Sequence, residues 1–209
     1  MKMIQNSSNL KKNIFDTSSM VKIGMLSGLG MALMLLDFPL PIFPSFLKLD
    51  LSDAPAVIGT FAMGPVAGVF IELLKNLLKI VVKNNTGGVG ELANFLVGIA
   101  YILPLGLIYQ KYQNKKGVFI GCLISMFSMT LIAGLLNYFI FIPAYSWVLG
   151  YPIDAFVGMA AKINSSVVDL RTLIIFAIMP FNLLKSLLVS VVGFGLYKAL
   201  QPLWKIVKL

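Results

Sequence analysis

Apolar residues fill this chain in long runs from Ser19 onward, and the breaks between runs are polar or rich in Pro and Gly. Runs of this length read as membrane helices, because lipid offers no partner to an unpaired backbone group. Strand-like alternation is absent. Six spans are predicted: Ser19 to Leu36, Ala54 to Met63, Val66 to Val82, Glu91 to Tyr109, Val118 to Ile142 and Thr172 to Leu200. The Pro-rich DFPLPIFPSFLKLD closes the first span, and Gly64-Pro65 parts the second from the third. KNNTGGVG and the basic QKYQNKKG are loops, Pro143 ends the fifth span, and a long loop runs from Ala144 to Arg171. The second span is short, reaching only ~15 Å, about half the hydrocarbon thickness. Either it begins earlier, within the Pro-rich segment, or it forms with the third span a broken pair of the kind that lines cavities.

Composition agrees with this pattern. Of 209 residues, 58% are hydrophobic and 12% charged, and mean hydropathy is +0.91. The expected fold is an all-α integral membrane protein of six transmembrane helices. Residues 1–18 form a polar N-terminal segment and 19–209 one membrane domain. Met1 to Lys22 does not read as a signal peptide, having no small-residue cleavage site. The net charge of +9 reads as topology rather than nucleic-acid binding, since Lys and Arg collect on the cytoplasmic side. Lys2, Lys11, Lys12, Lys22, Lys111, Lys115, Lys116, Lys198, Lys205 and Lys208 lie on the side of the two ends, against Lys48, Lys83, Lys162 and Arg171 opposite. Both termini are therefore expected in the cytoplasm. Asp37, Asp50, Asp53, Glu91, Asp154 and Asp169 fall at or near the outer face.

Several chemistries are excluded. With no His, Ser-His and Cys-His catalysis and His-based metal sites are unavailable. A GxxxxGK[ST] phosphate loop is missing, so ATP hydrolysis by that route is too. Cys122 is the only cysteine, which rules out a disulfide within the chain.

The polar residues inside the spans carry the functional signal. Asn182 and Lys185 sit three apart in the apolar stretch from Leu173 to Leu200, on one side of a helix. A Lys near the middle of a span typically costs roughly 2.5–3.5 kcal/mol to insert, so it faces protein or a cavity. The structural alternative is a hydrogen-bond clip at Asn182 and an ion pair at Lys185, with Glu91 as the first partner to consider. Glu91 and Asn94 in GELANFLVG and Asn137 in LLNYFIFIP lie toward the outer ends of the fourth and fifth spans. If these spans are neighbours, the polar groups converge on one pocket opening outward, with Phe95, Tyr138, Phe141 and Trp147 as apolar walls. The segment with Lys48, Asp50 and Asp53 is amphipathic enough to cover such a pocket, and Asp53 also suits a helix cap before Ala54-Pro55. In the third span Glu72, Lys75, Asn76 and Lys79 form a polar stripe, read as an ion-paired seam at Glu72 and left open at the lysines. Gly24, Gly28 and Ala32 form a small-residue ladder, which lets a helix approach closely, either from this chain or from a partner.

KLDLSDAPAVIGTFAMGPVAGVFIELLKNLLK, with GGVGELANFLVG and MPFNLLKSLL, resembles the substrate-binding subunits (S components) of energy-coupling factor (ECF) vitamin transporters, the riboflavin-specific kind above all. The resemblance runs from about Met20 to the end. It implies riboflavin as transported ligand, no other cofactor, and residence in the cell membrane of a bacterium of Gram-positive type. It implies a ligand site in the outer half under the first loop, with Asn137, Asn182 and Lys185 as polar contacts and Glu91, Asn94, Lys48 and Asp50 around them. It implies partners too: a membrane coupling protein (EcfT-like), docked on Gly24, Gly28 and Ala32, and two ATPase subunits. The protein itself would not be an enzyme. Other readings are an S component for FMN or for another vitamin such as thiamine or biotin, an intramembrane enzyme, and a stand-alone channel or facilitator.

Overall fold

A computed structural model describes residues 16–207 of the chain, with side chains to Ala199. Lys2, Lys11, Lys12 and Lys208, most of the N-terminal polar segment, and the Lys205 side chain lie outside the described residues. Helix α1 spans Thr17–Met34 and is opened by Asp16, whose carboxylate accepts from the Ser18 amide. The Pro-rich segment that follows holds two two-residue strands, β1 (Phe38–Pro39) and β2 (Lys48–Leu49). They pair antiparallel, Phe38 opposite Leu49. This short ladder was not visible as alternation, because two residues contain none.

Helix α2 (Ala54–Met63) is short, as expected, and most of its residues are buried. Gly64 at φ 100 turns the chain directly into α3 (Pro65–Val82). Only Gly adopts that backbone without strain, and Pro65 then suits the first turn of a helix. The second and third spans are therefore the broken pair. Helix α4 covers Val89–Tyr112 and contains Pro104.

The next two runs differ most from expectation. Helix α5 (Lys115–Leu136) passes through a π-helical turn, π1 (Asn137–Phe141), into α6 (Ile142–Leu149). Pro143 thus does not end the span. Its ring lacks an N–H and crowds the carbonyl one turn back, and the wider π turn just before it absorbs the mismatch. The last run repeats the device: α8 (Leu170–Leu173), π2 (Ile174–Ile178), then Pro180 near the start of α9 (Met179–Val207). The expected loop from Ala144 to Arg171 is corrected accordingly. It contains the end of α6, a left-handed turn at Gly150 and helix α7 (Ile153–Ala161). Asp169 and Thr172 close a capping box at α8, the Thr172 amide donating to Asp169 Oδ1 at 2.7 Å.

Among the described residues, three helical stretches are long and apolar enough to cross a membrane: Val89–Tyr112, the continuous Lys115–Leu149, and Leu170–Ala199. Helix α3 is as long as α1 but carries Glu72, Lys75 and Lys79. Helix α1 packs on α3, α3 on α4, α4 on α5 and α5 on α9, while α2 rests against α1, α3 and α9. Two apolar cores result. One fills the bundle around Ile71, Tyr101, Ile102 and Leu105. The other joins Phe46 and Leu47 of the first loop to α6, α7 and π2 through Phe156, Ile142 and Leu173. The candidate site lies where the two cores meet.

Candidate functional site

Five ionisable side chains from three parts of the chain form one buried cluster. Asp50 and Asp53 come from the loop before α2, Glu72 and Lys75 from α3, and Lys185 from α9; none is more than 6% exposed. Lys75 Nζ donates to Ser52 Oγ at 3.0 Å, pairs with Glu72 at 2.8 Å and pairs with Asp53. Lys185 Nζ lies 3.2 Å from Asp50 Oδ2 and 3.4 Å from Asp53 Oδ2. The buried lysines are tolerable here because each has a carboxylate and hydrogen bonds at hand; an unpaired buried charge is far more costly. Glu72 reaches the cluster over Gly98 of α4, where a Cβ would lie 2.6 Å from its Oε2.

This arrangement corrects three expectations. The counterions of Lys185 are Asp50 and Asp53, not Glu91. Glu91 instead accepts from Thr86 Oγ1 at 2.7 Å and lies 3.7 Å from Lys79. Asp53 makes no side-chain capping bond to α2; its carboxylate is committed to the two lysines. The seam read at Glu72 is present, but it extends across the bundle to α9.

Beside the cluster lies a cleft of two lobes sharing Phe46, Lys48, Gly90, Asn94 and Tyr145. The inner lobe, about 130 Å³, is lined by Asp53, Val97, Met129, Phe181 and Lys185 among others. The outer lobe, about 290 Å³, has Asp50, Lys79, Lys83, Thr86 and Glu91 in its wall. Together they fall in the size range of small-molecule sites, roughly 300–1,000 Å³. A hollow of about 560 Å³ between α5 and π2 is larger. It is open and almost wholly apolar, bordered by exposed side chains such as Leu131, Leu135 and Phe139, so it lacks the converging polar groups that orient a ligand.

Every sequence-predicted ligand residue borders the cleft: Asn137, Asn182 and Lys185 the inner lobe, Asp50 and Glu91 the outer, Asn94 and Lys48 both. Asn137 opens π1 and Asn182 lies in the first turn of α9, just after π2, and each donates its amide to the carbonyl four residues back, Ala133 at 2.8 Å and Ile178 at 2.9 Å. Their Oδ1 atoms remain as acceptors, and both residues line the inner lobe. Asn94 Oδ1 is buried with no partner at all, a cost normally met by a hydrogen bond. Lys48 pairs with Asp37 at 3.3 Å across the base of the first loop. Phe46 and Phe43 of that loop pack edge-on against Phe156 and Phe181, covering the cleft.

Of the expected apolar walls, Trp147 is 86% exposed, and neither Phe95, Tyr138 nor Phe141 lines the two lobes. Phe46, Tyr145 and Phe181 take their place. Sequence reasoning gave Asp53 the wrong role and missed Phe181. Charge balance was the available signal for Asp53: two lysines inside apolar runs require carboxylates, and few exist. Gly24 and Gly28 on α1 have no atom within 4 Å of a would-be Cβ, and Ala32 is exposed. The ladder therefore faces away from the bundle rather than packing within it.

Comparison with known proteins gives a consistent picture. The family described as "ECF transporter, substrate-specific component" matches residues 18–197. The chain is 36% identical over 185 residues to "Riboflavin transporter FmnP" of Bacillus subtilis, covering 88% of this chain and 92% of that protein. It is 34% identical over 195 residues to "Riboflavin transporter RibU" of Staphylococcus aureus, covering 93% and 96%. A solved structure described under "Structure and mechanism of the S component of a bacterial ECF transporter" superposes with a TM-score of 0.70 at 33% identity, over 89% of this chain and 96% of that one.

Proposed function

The chain belongs to the family of ECF transporter substrate-specific components, and on that premise we propose that it is a riboflavin-binding subunit mediating riboflavin uptake with an ECF module. The observation that carries this reading is the covered cleft, where the unpaired Asn94 Oδ1 and the free amide oxygens of Asn137 and Asn182 sit beside the Lys185 ammonium. Riboflavin suits that set. Its ring imide offers a donor between two carbonyl acceptors, and its ribityl chain offers several hydroxyls. Amide oxygens accept from the N–H and the hydroxyls, Lys185 donates to a carbonyl, and Phe46, Tyr145 and Phe181 provide surface for a flat ring. Asn137, Asn182 and Lys185 are the principal contacts, with Glu91, Asn94, Lys48 and Asp50 toward the entrance.

In this reading residues from 19 onward form one membrane domain crossing the cell membrane six times, with both ends cytoplasmic and the cleft opening outward. The Lys distribution supports that orientation. The subunit has no ATPase of its own. A membrane coupling protein seats on the Gly24, Gly28 and Ala32 face of α1, and two ATPases supply the energy.

Detergent-purified protein titrated with riboflavin should quench flavin fluorescence at or below micromolar concentration; no quenching, in a preparation that melts cooperatively, would refute the proposal. Replacing Asn182 or Asn137 with Ala removes one acceptor that touches little else. Each is expected to weaken riboflavin binding by about 1–3 kcal/mol, roughly five- to hundred-fold in Kd, with the melting temperature little changed. Titration with thiamine, biotin and FMN in parallel tests the ligand identity.

A further inference from the structure

Lys75 lines neither lobe of the cleft, yet it is paired directly to Asp53, which does. Its side chain is fully buried and its ammonium meets Ser52 Oγ, Asp53 and Glu72 at once. Its aliphatic stem is bracketed from the other side by α1, where a Cβ on Gly30 would lie 3.3 Å from Lys75 Cδ and 3.1 Å from the Ser52 carbonyl. Asp53 is held between Lys75 on one oxygen and Lys185 on the other, and both Asp53 and Lys185 line the inner lobe.

Resting on the riboflavin reading above, we infer that Lys75 is a positioning residue for ligand binding: through Asp53 and Ser52 it fixes where the Lys185 ammonium points and holds the covering loop to α3. The charges explain why this needs a cation. With every group ionised the cluster carries three carboxylates against two ammonium groups. Without Lys75, Lys185 would face three carboxylates alone, and Asp53 would turn fully onto it. Lys185 would then be drawn out of the geometry that presents it to the lobe. Partners that orient a binding group from behind typically matter by about ten- to hundred-fold.

Removing Lys75 alone exposes the fold to an unpaired buried charge, so the decisive variant is Lys75→Met with Glu72→Gln. It removes one cation and one anion together and leaves the cluster's net charge unchanged. Riboflavin affinity and melting temperature are measured on the full-length purified proteins. The double variant is expected to melt near the parent while its Kd rises at least about ten-fold. A Kd within about two-fold of the parent at matched melting overturns it, since Lys75 would then be only a structural counterion. Should the double variant not fold, Ser52→Ala carries the test. It deletes one Lys75 partner and no charge; a Kd raised about three-fold or more at unchanged melting supports the inference, and an unchanged Kd overturns it. A parent protein that binds no riboflavin refutes the functional reading instead, a result distinct from either of these.

Discussion

Lys185→Ala should be the most damaging single change to ligand binding. The ammonium sits 3.2 Å from Asp50 and 3.4 Å from Asp53 in a buried cluster. Removing it leaves the three carboxylates Asp50, Asp53 and Glu72 with Lys75 as the one remaining cation of the cluster, and breaking a buried pair in this way typically costs about 3–5 kcal/mol. In the proposed function the same ammonium donates to the flavin, and a hydrogen bond involving a charged group is worth about 1.5–3 kcal/mol. Riboflavin affinity is therefore expected to fall roughly ten- to hundred-fold beyond the loss in stability. Adding Asp50→Asn separates the two effects. It lifts the excess negative charge, so melting temperature should recover in large part while fluorescence titration still shows weak binding. Full recovery of both would reduce Lys185 to an ion-pair clip, the alternative the sequence left open.

The second large effect concerns transport rather than binding. Leu at both Gly24 and Gly28 should leave riboflavin affinity and melting unchanged and reduce riboflavin uptake in cells to background. Neither position has an atom within 4 Å of a would-be Cβ, so the larger side chains meet nothing inside the subunit. What they do change is the closest distance at which another helix can lie against α1. Small residues one turn apart allow backbones to approach, and without a hydrophobic force between helices in lipid that close packing is a main source of association. Uptake assayed in cells carrying the ECF module, with the purified variant titrated in parallel, checks both halves. Undiminished uptake would remove α1 as the docking face.

Which features were legible in the sequence follows from how local their causes are. Helices α1, α2 and α3 were predicted to within two residues, because hydropathy, the Pro-rich break and Gly64-Pro65 all act within a turn or so of the boundary. Pro143 was read as a stop because a Pro ordinarily is one; its tolerance depends on a π turn that has no clear sequence signature. Helix α7 was lost in a supposed loop, since nine residues are too few to show a period against their Gly and Pro neighbours. Among the site residues, Asn137, Asn182 and Lys185 stood out as polar groups in apolar surroundings. Their partners did not. Asp53 satisfied a familiar local pattern before Ala54-Pro55, and that pattern concealed a long-range ion pair. Phe181 is one apolar residue among many until the fold turns it toward Phe43.

The distance along the chain between Asp50 and Lys185 also bears on how the protein is made. They are 135 residues apart, and Lys185 lies on α9, which leaves the ribosome after α2 to α8. Lys75 emerges soon after Asp53 and can neutralise it early, but Asp50 has no buried cation until α9 arrives. During synthesis the first loop therefore lacks its Lys185 partner while α2 to α8 are made. The ion pair that ties the first loop to α9 forms only after Lys185 has been made, so the cover over the cleft closes late in folding.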